Sequence, residues 1–125
     1  MVKTKVLVVD DSATVRQQVS AALGQAGFEV IEAIDGVDGV NKIARIPGIG
    51  AVVCDVNMPN LNGNEMVEQV KANGANPTLP ILMLTTEGVP ALMQRAKQAG
   101  AKAWITKPFK ADVLVSAIRA LTKAH

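Results

Sequence analysis

The chain has 125 residues, of which 49% are hydrophobic and 19% charged, with a formal net charge of +2 and one cysteine. That length and composition suit one domain, 1–125, with an ordinary apolar core and no need of disulfides or structural metals. The lone Cys54 excludes an internal disulfide and suits a reducing, cytoplasmic compartment, while apolar runs of only strand length exclude membrane insertion.

The first strand is expected over Lys5 to Val9, where four consecutive apolar residues imply burial on both faces. Ser12 then caps a helix whose stripe is Val15, Val19, Leu23 and Ala26, and Gly27 ends it. Phe28 to Ala33 reads as the second strand, with Asp35 and Gly36 opening the second helix. The Gly48-Ile49-Gly50 fragment reads as a turn before a third strand at Ala51 to Cys54. Met66, Val67 and Val70 mark a third helix, followed by turn formers from Asn73 to Pro77. The fourth strand is expected over Pro80 to Leu84. Pro90 begins a fourth helix carrying Leu92, Ala96 and Ala99, and Gly100 terminates it. Ala101 to Ile105 forms the fifth strand, and Leu114, Ile118 and Leu121, alongside Val113 and Ala117, the fifth helix. No linker, internal repeat or low-complexity tract interrupts the pattern.

Strands and helices alternating at this spacing imply an α/β fold. Five parallel strands joined by right-handed crossovers give a doubly wound sheet with helices on both faces. Ligands of such sheets collect at the carboxyl ends of the strands. There the sequence places Asp10-Asp11, Asp55-Val56-Asn57-Met58-Pro59, Thr85-Thr86-Glu87 and Thr106-Lys107-Pro108-Phe109. Each alone has an ordinary explanation as a cap or a turn. Together they bring three carboxylates, a hydroxyl and a lysine to one sheet edge.

Three clustered carboxylates repel one another, and burial makes that worse. A divalent cation reverses the sign. Two carboxylates with a carbonyl and several waters form the partial oxygen shell favoured by Mg²⁺. A cation beside a further carboxylate, with lysine and hydroxyl opposite, suits phosphoryl transfer to an aspartate. No P-loop is present. The lone His125, at the C-terminus, excludes a histidine-based triad, and three aromatic residues without a basic block argue against nucleic acid.

From Val6 to about Leu121 the sequence resembles the receiver domain of two-component response regulators, close in size and pattern to their stand-alone chemotaxis members. The resemblance rests on Asp10-Asp11, Asp55, Asn57-Met58-Pro59 with Gly63, Thr85, and Lys107-Pro108-Phe109. It implies a flavodoxin-like receiver fold with five helices and strand order 2-1-3-4-5. Asp55 would accept a phosphoryl group from a sensor histidine kinase or a histidine phosphotransfer protein. Asp11, Asp55 and the Asn57 carbonyl would ligate Mg²⁺, with Asp10 acting through water. Lys107 would pair with Asp55 and precede a cis peptide bond to Pro108, and Thr85 would bond the phosphoryl group. The resemblance implies a switching phosphoprotein rather than an enzyme. A downstream protein would be engaged through the fourth helix, fifth strand and fifth helix. A stand-alone phosphorelay regulator, in chemotaxis or elsewhere, is the expected function.

Two features depart from the family pattern. Trp104 stands where a tyrosine or phenylalanine switch is usual, and the β-branched Thr86 crowds its inward position; the alternative is a partly buried packing residue. Asn57 and Glu87 resemble polar residues that tune dephosphorylation, implying a short-lived phosphoryl group. Cys54, Met58, Met66, Met83 and Met93 read as packing residues. The competing readings are an aspartate-nucleophile phosphatase of the haloacid dehalogenase type, a flavodoxin-like flavin binder, and a phosphate reservoir or interaction-only receiver. Asn57 in place of a second acid argues against the first, and the lack of a phosphate loop and stacking aromatics against the second. The presence of all five site residues argues against an interaction-only role.

Overall fold

The computed structural model describes residues 3–55, 79–85, 94, 97–98 and 101–123. Its elements are β1 (Lys5–Val9), α1 (Ala13–Gln25), β2 (Glu29–Ala33), α2 (Gly36–Arg45), β3 (Ile49–Asp55), β4 (Ile81–Thr85), β5 (Ala103–Thr106) and α3 (Ala111–Lys123). Gln94, Lys97 and Gln98 are also helical, where the fourth helix is expected. The apolar positions expected of that helix and of the third, and Asn57, Met58, Gly63, Thr86 and Glu87, lie outside the described residues.

All strands are parallel, in the order β2-β1-β3-β4-β5. Alternation along them separates two cores. Leu7, Val9, Val52, Cys54, Ile81 and Met83 form one, with Val40 and Ile43 of α2 packed against it. Val6, Val8, Ala51, Val53, Leu82 and Leu84 form the other with Val19 and Leu23 of α1 and Leu114 and Ile118 of α3. Two covered faces explain why the central strands are apolar without alternation. Val113, one position before Leu114, turns outward and is 48% exposed, so it does not join the expected stripe.

The ends of the elements are settled by backbone hydrogen bonds. Ser12 caps α1, its Oγ accepting from Val15 N–H at 3.3 Å. At the other end Gly27 adopts φ +98°. Its N–H donates to the Gly24 carbonyl and that of Phe28 to the Leu23 carbonyl, both at 3.1 Å. This is a Schellman closure. It occupies the Phe28 N–H, so β2 begins at Glu29, one residue later than the pattern suggested.

The third strand also differs from expectation. Ile49 and Gly50 belong to β3 instead of a preceding turn. Lys5 registers with Ile49 but Val6 with Ala51, leaving Gly50 as the extra residue of a bulge. A Cβ on Gly50 would lie 2.8 Å from Thr4 Cγ2, so any larger residue there would have to push that methyl aside. At their far ends β3 and β4 each extend one residue, to Asp55 and Thr85, which makes both residues part of the sheet. β5 runs from Ala103 to Thr106, two residues later than expected at its start and one at its end. Among the described residues no helix is long and apolar enough to cross a membrane.

Candidate functional site

The order of strands reverses between β1 and β3, which pair directly, with Val9 opposite Cys54. One step further along each chain brings Asp10 beside Asp55, at the switch point of the sheet. Asp11 follows on the loop into α1. The three carboxylates each offer an oxygen within 4.8 Å of the other two. Asp10 and Asp55 are buried, and Asp11 is exposed. The cluster thus has a dry floor and an open side.

Lys107 reaches the same point from the loop after β5. Its Nζ lies 3.2 Å from Asp10 Oδ2 and 3.3 Å from Asp55 Oδ1, with 14% of the side chain exposed. The sequence reading paired it with Asp55 alone; the structure has it bridge two acids. Its backbone N–H donates to the Thr85 carbonyl at 2.6 Å, and the Lys107–Pro108 peptide bond is cis. Thr85 is 1% exposed at the end of β4. Acids, lysine and threonine therefore converge on one edge, as their places at the strand ends suggested.

Asp10 is held at every polar group. Its N–H donates to the Ala33 carbonyl at 3.2 Å, and its Oδ1 accepts from Ser12 N–H at 2.8 Å. Oδ2 takes the lysine, and the carbonyl accepts from Arg16 Nη1 at 2.6 Å. Such a residue serves better to position its neighbours than to ligate directly. The contact from Arg16 was not read from the sequence. Its signal is the spacing: Arg16 sits one helical turn beyond the capping serine, where a long side chain can reach back over the N-terminus.

Among the described residues three carboxylates stand against one ammonium, which leaves the cluster short of positive charge. The chemistry of this donor set fits a small divalent cation. Oxygens at about 2.1 Å from Mg²⁺ stand at most about 4.2 Å apart, so the observed spacing needs only a small contraction. The site also affects its neighbour. Burial pushes the Cys54 thiol up, and the Asp55 and Asp10 carboxylates push it further. Cys54 is fully buried and donates to the Asp55 carbonyl at 3.3 Å, a packing residue as expected.

Trp104 lies on β5 opposite Met83 of β4 and packs against the first core. By alternation Thr85 shares that face, diagonal to the indole. The Trp104 Nε1 is buried and has no hydrogen-bond partner among the described residues. Gln94, Gln98, Lys97, Lys102 and Trp104 help to line a cavity of about 660 Å³ on this side.

An open parallel sheet in this order, with acids and a lysine at its switch point, is the architecture of a signal receiver. The chain belongs to the response regulator receiver domain family, whose profile it matches over residues 6–119. It is 40% identical over 111 residues to the chemotaxis protein CheY1 of Helicobacter pylori, covering 88% of this chain and 90% of that one. It is 39% identical to the chemotaxis protein CheY homolog of Campylobacter jejuni, covering 88% and 85% of the two chains. The solved structure of chemotaxis protein CheY4 from Vibrio cholerae matches with a TM-score of 0.90 and 39% identity, over 96% of this chain and 99% of that one.

Proposed function

We propose that this receiver accepts a phosphoryl group on Asp55 from a phosphohistidine of a partner kinase or phosphotransfer protein, in a Mg²⁺-dependent step, as a switch of chemotaxis-type signalling. The observation that carries this is the Lys107 ammonium set between Asp10 and Asp55 at 3.2 and 3.3 Å, beside an exposed third acid. The kinship to chemotaxis proteins supports the pathway.

In the transfer, an Asp55 carboxylate oxygen attacks phosphorus. The new O–P bond forms as the P–N bond to imidazole breaks, and the imidazole nitrogen takes up a proton. When bound, Mg²⁺ neutralises phosphoryl oxygens; Asp11, Asp55 and the Asn57 carbonyl would hold it, with Asp10 acting through water. Lys107 turns from the carboxylates toward the phosphoryl oxygens, and the Thr85 hydroxyl donates to another. Water later attacks the acyl phosphate, releasing inorganic phosphate and restoring the carboxylate. Asn57 and Glu87 tune that second step. Turnover is of the protein's own modification, so the chain acts as a switch and not as an enzyme on a separate substrate.

The signal leaves through a two-state change. A shift from 1:99 to 99:1 needs about 5.5 kcal/mol, which a few charge-assisted hydrogen bonds of about 1.5–3 kcal/mol can supply. A Thr85 drawn toward the phosphoryl group vacates space on the face it shares with Trp104. The indole responds to that space, with a coupling weaker than a smaller switch aromatic would give, and the surface of β5, α3 and the helical residues Gln94, Lys97 and Gln98 is what a downstream protein reads.

The test is incubation with acetyl phosphate and Mg²⁺ followed by mass spectrometry. A hydroxylamine-labile gain of one phosphoryl mass on Asp55, absent in Asp55→Asn and in EDTA, is expected. No adduct in the wild type would falsify the proposal. Sustained turnover of phosphate esters would instead favour a phosphatase.

A further inference from the structure

Arg16 has a placement that the transfer reaction leaves unexplained. It lies in the first turns of α1, and its side chain is 16% exposed. Nη1 donates to the Asp10 carbonyl at 2.6 Å while Nε donates to Glu32 Oε1 of β2 at 3.3 Å. One planar guanidinium thereby ties the end of β1 to the neighbouring strand.

The carbonyl it holds belongs to the peptide joining Asp10 to Asp11. Among the described residues nothing pairs with the Asp11 carboxylate itself. The direction in which that side chain leaves the loop is therefore set through the backbone. Asp10 is anchored on its other groups by Ala33, Ser12 and Lys107; Arg16 alone among the described residues fixes the plane of the following peptide. We propose that Arg16 is a positioning residue for the divalent cation, aiming the Asp11 carboxylate by clamping the Asp10–Asp11 peptide. This rests on the phosphoacceptor reading above.

Charge and placement predict opposite results. A cation near three carboxylates opposes a second cation, so if Arg16 acted only as a charge, removing it would tighten metal binding. If it positions a ligand, removing it weakens binding; partners behind metal ligands typically matter by about 10–100-fold. Lysine keeps the charge but lacks the planar fork that meets both acceptors.

The experiment is calorimetric titration of wild type, Arg16→Lys and Arg16→Met with Mg²⁺ alone, with circular dichroism confirming the fold of each. Phosphorylation by acetyl phosphate is measured across the same Mg²⁺ range. Both variants should bind Mg²⁺ about 10-fold more weakly, and their maximal phosphorylation rates should return to about the wild-type value at saturating Mg²⁺. Glu32→Gln, which loosens the brace and spares the clamp, should show a smaller loss in the same direction. Unchanged affinity in a folded Arg16→Lys, or tighter binding in Arg16→Met, overturns the inference while leaving the phosphoacceptor reading intact. A wild type that binds no Mg²⁺ overturns both.

Discussion

Asp11→Asn is expected to stabilise the metal-free protein while blunting its response to Mg²⁺. The Asp11 carboxylate has an oxygen within 4.8 Å of one from each of the other two acids. Unit charges at that distance repel by about 0.9 kcal/mol in bulk water and by about 3.5 kcal/mol at an effective dielectric of about 20. Asp11 is exposed, so screening favours the lower end. That gives about 1 kcal/mol for each partner. Part of the Asp10 contribution survives in the unfolded chain, where the two are neighbours. The charge also gains about 0.3–1 kcal/mol from the N-terminus of α1. The Lys107 ammonium lying against both Asp10 and Asp55 offsets part of the rest, so about 0.5 kcal/mol remains in favour of asparagine, or about 2 °C in Tm for a chain of this size.

Mg²⁺ should invert the ranking. A cation that binds only the folded state stabilises it by about 1.4 kcal/mol at ten times its Kd, and the variant has lost one of the three acids that would hold it. Thermal unfolding followed by circular dichroism, first in EDTA and then across a Mg²⁺ series, should show the variant melting higher without metal. The two curves should then cross as the cation is added. A variant that melts lower in EDTA would deny the net repulsion. A wild-type Tm indifferent to Mg²⁺ would deny the cation.

Lys107→Met removes the counter-charge from two carboxylates whose side chains are 2% and 7% exposed. It should destabilise the metal-free protein by about 3–5 kcal/mol in urea melts, partly recovered in Mg²⁺; a loss under about 1 kcal/mol would mean the acids are hydrated. Trp104→Phe deletes a buried indole N–H whose desolvation costs about 1–3 kcal/mol, against about 1 kcal/mol of lost apolar burial, so its Tm should equal or exceed that of the wild type. Cys54→Val tests the raised thiol. The folded Cys54 stays neutral where the unfolded thiol ionises, near pH 8.5 by about half a unit either way, so its contribution is whole below that pH and is lost as pH rises. At about pH 10 the wild type should have lost about 2 kcal/mol that the valine variant keeps; parallel alkaline profiles would contradict this.

The strands were legible because burial on both faces leaves an unbroken apolar run, as at Val6–Val9 and Ile81–Leu84. Where hydrogen bonding decided a boundary, that signal failed. Phe28 is as apolar as any strand residue, but its N–H closes α1, and Gly50 looks like a turn while it forms a bulge in β3. The gathering of Asp10, Asp11, Asp55 and Lys107 was legible by position, since acids at the ends of buried strands have few other reasons to gather. How they connect was not. Lys107 and Asp10 are 97 residues apart in sequence, and nothing in local pattern says that one ammonium will reach two acids. The Arg16 clamp likewise depends on the reach of a side chain across the start of a helix.

The charge balance of the site constrains how it is used. Asp10 and Asp55 share one lysine, and Asp11 adds a further negative charge without a partner among the described residues. An incoming phosphoryl group is itself anionic, so the cluster as it stands repels the group that Asp55 is proposed to take up. Lys107 cannot resolve this alone, because turning toward the newcomer exposes Asp10 and Asp55 to each other. Repulsion between ligand and nucleophile is thus built into the fold, and it favours a protein whose Asp55 stays unmodified until further positive charge arrives. The same imbalance that lowers the stability of the resting state makes the acid at position 55 conditional, which is the property a resettable signal requires.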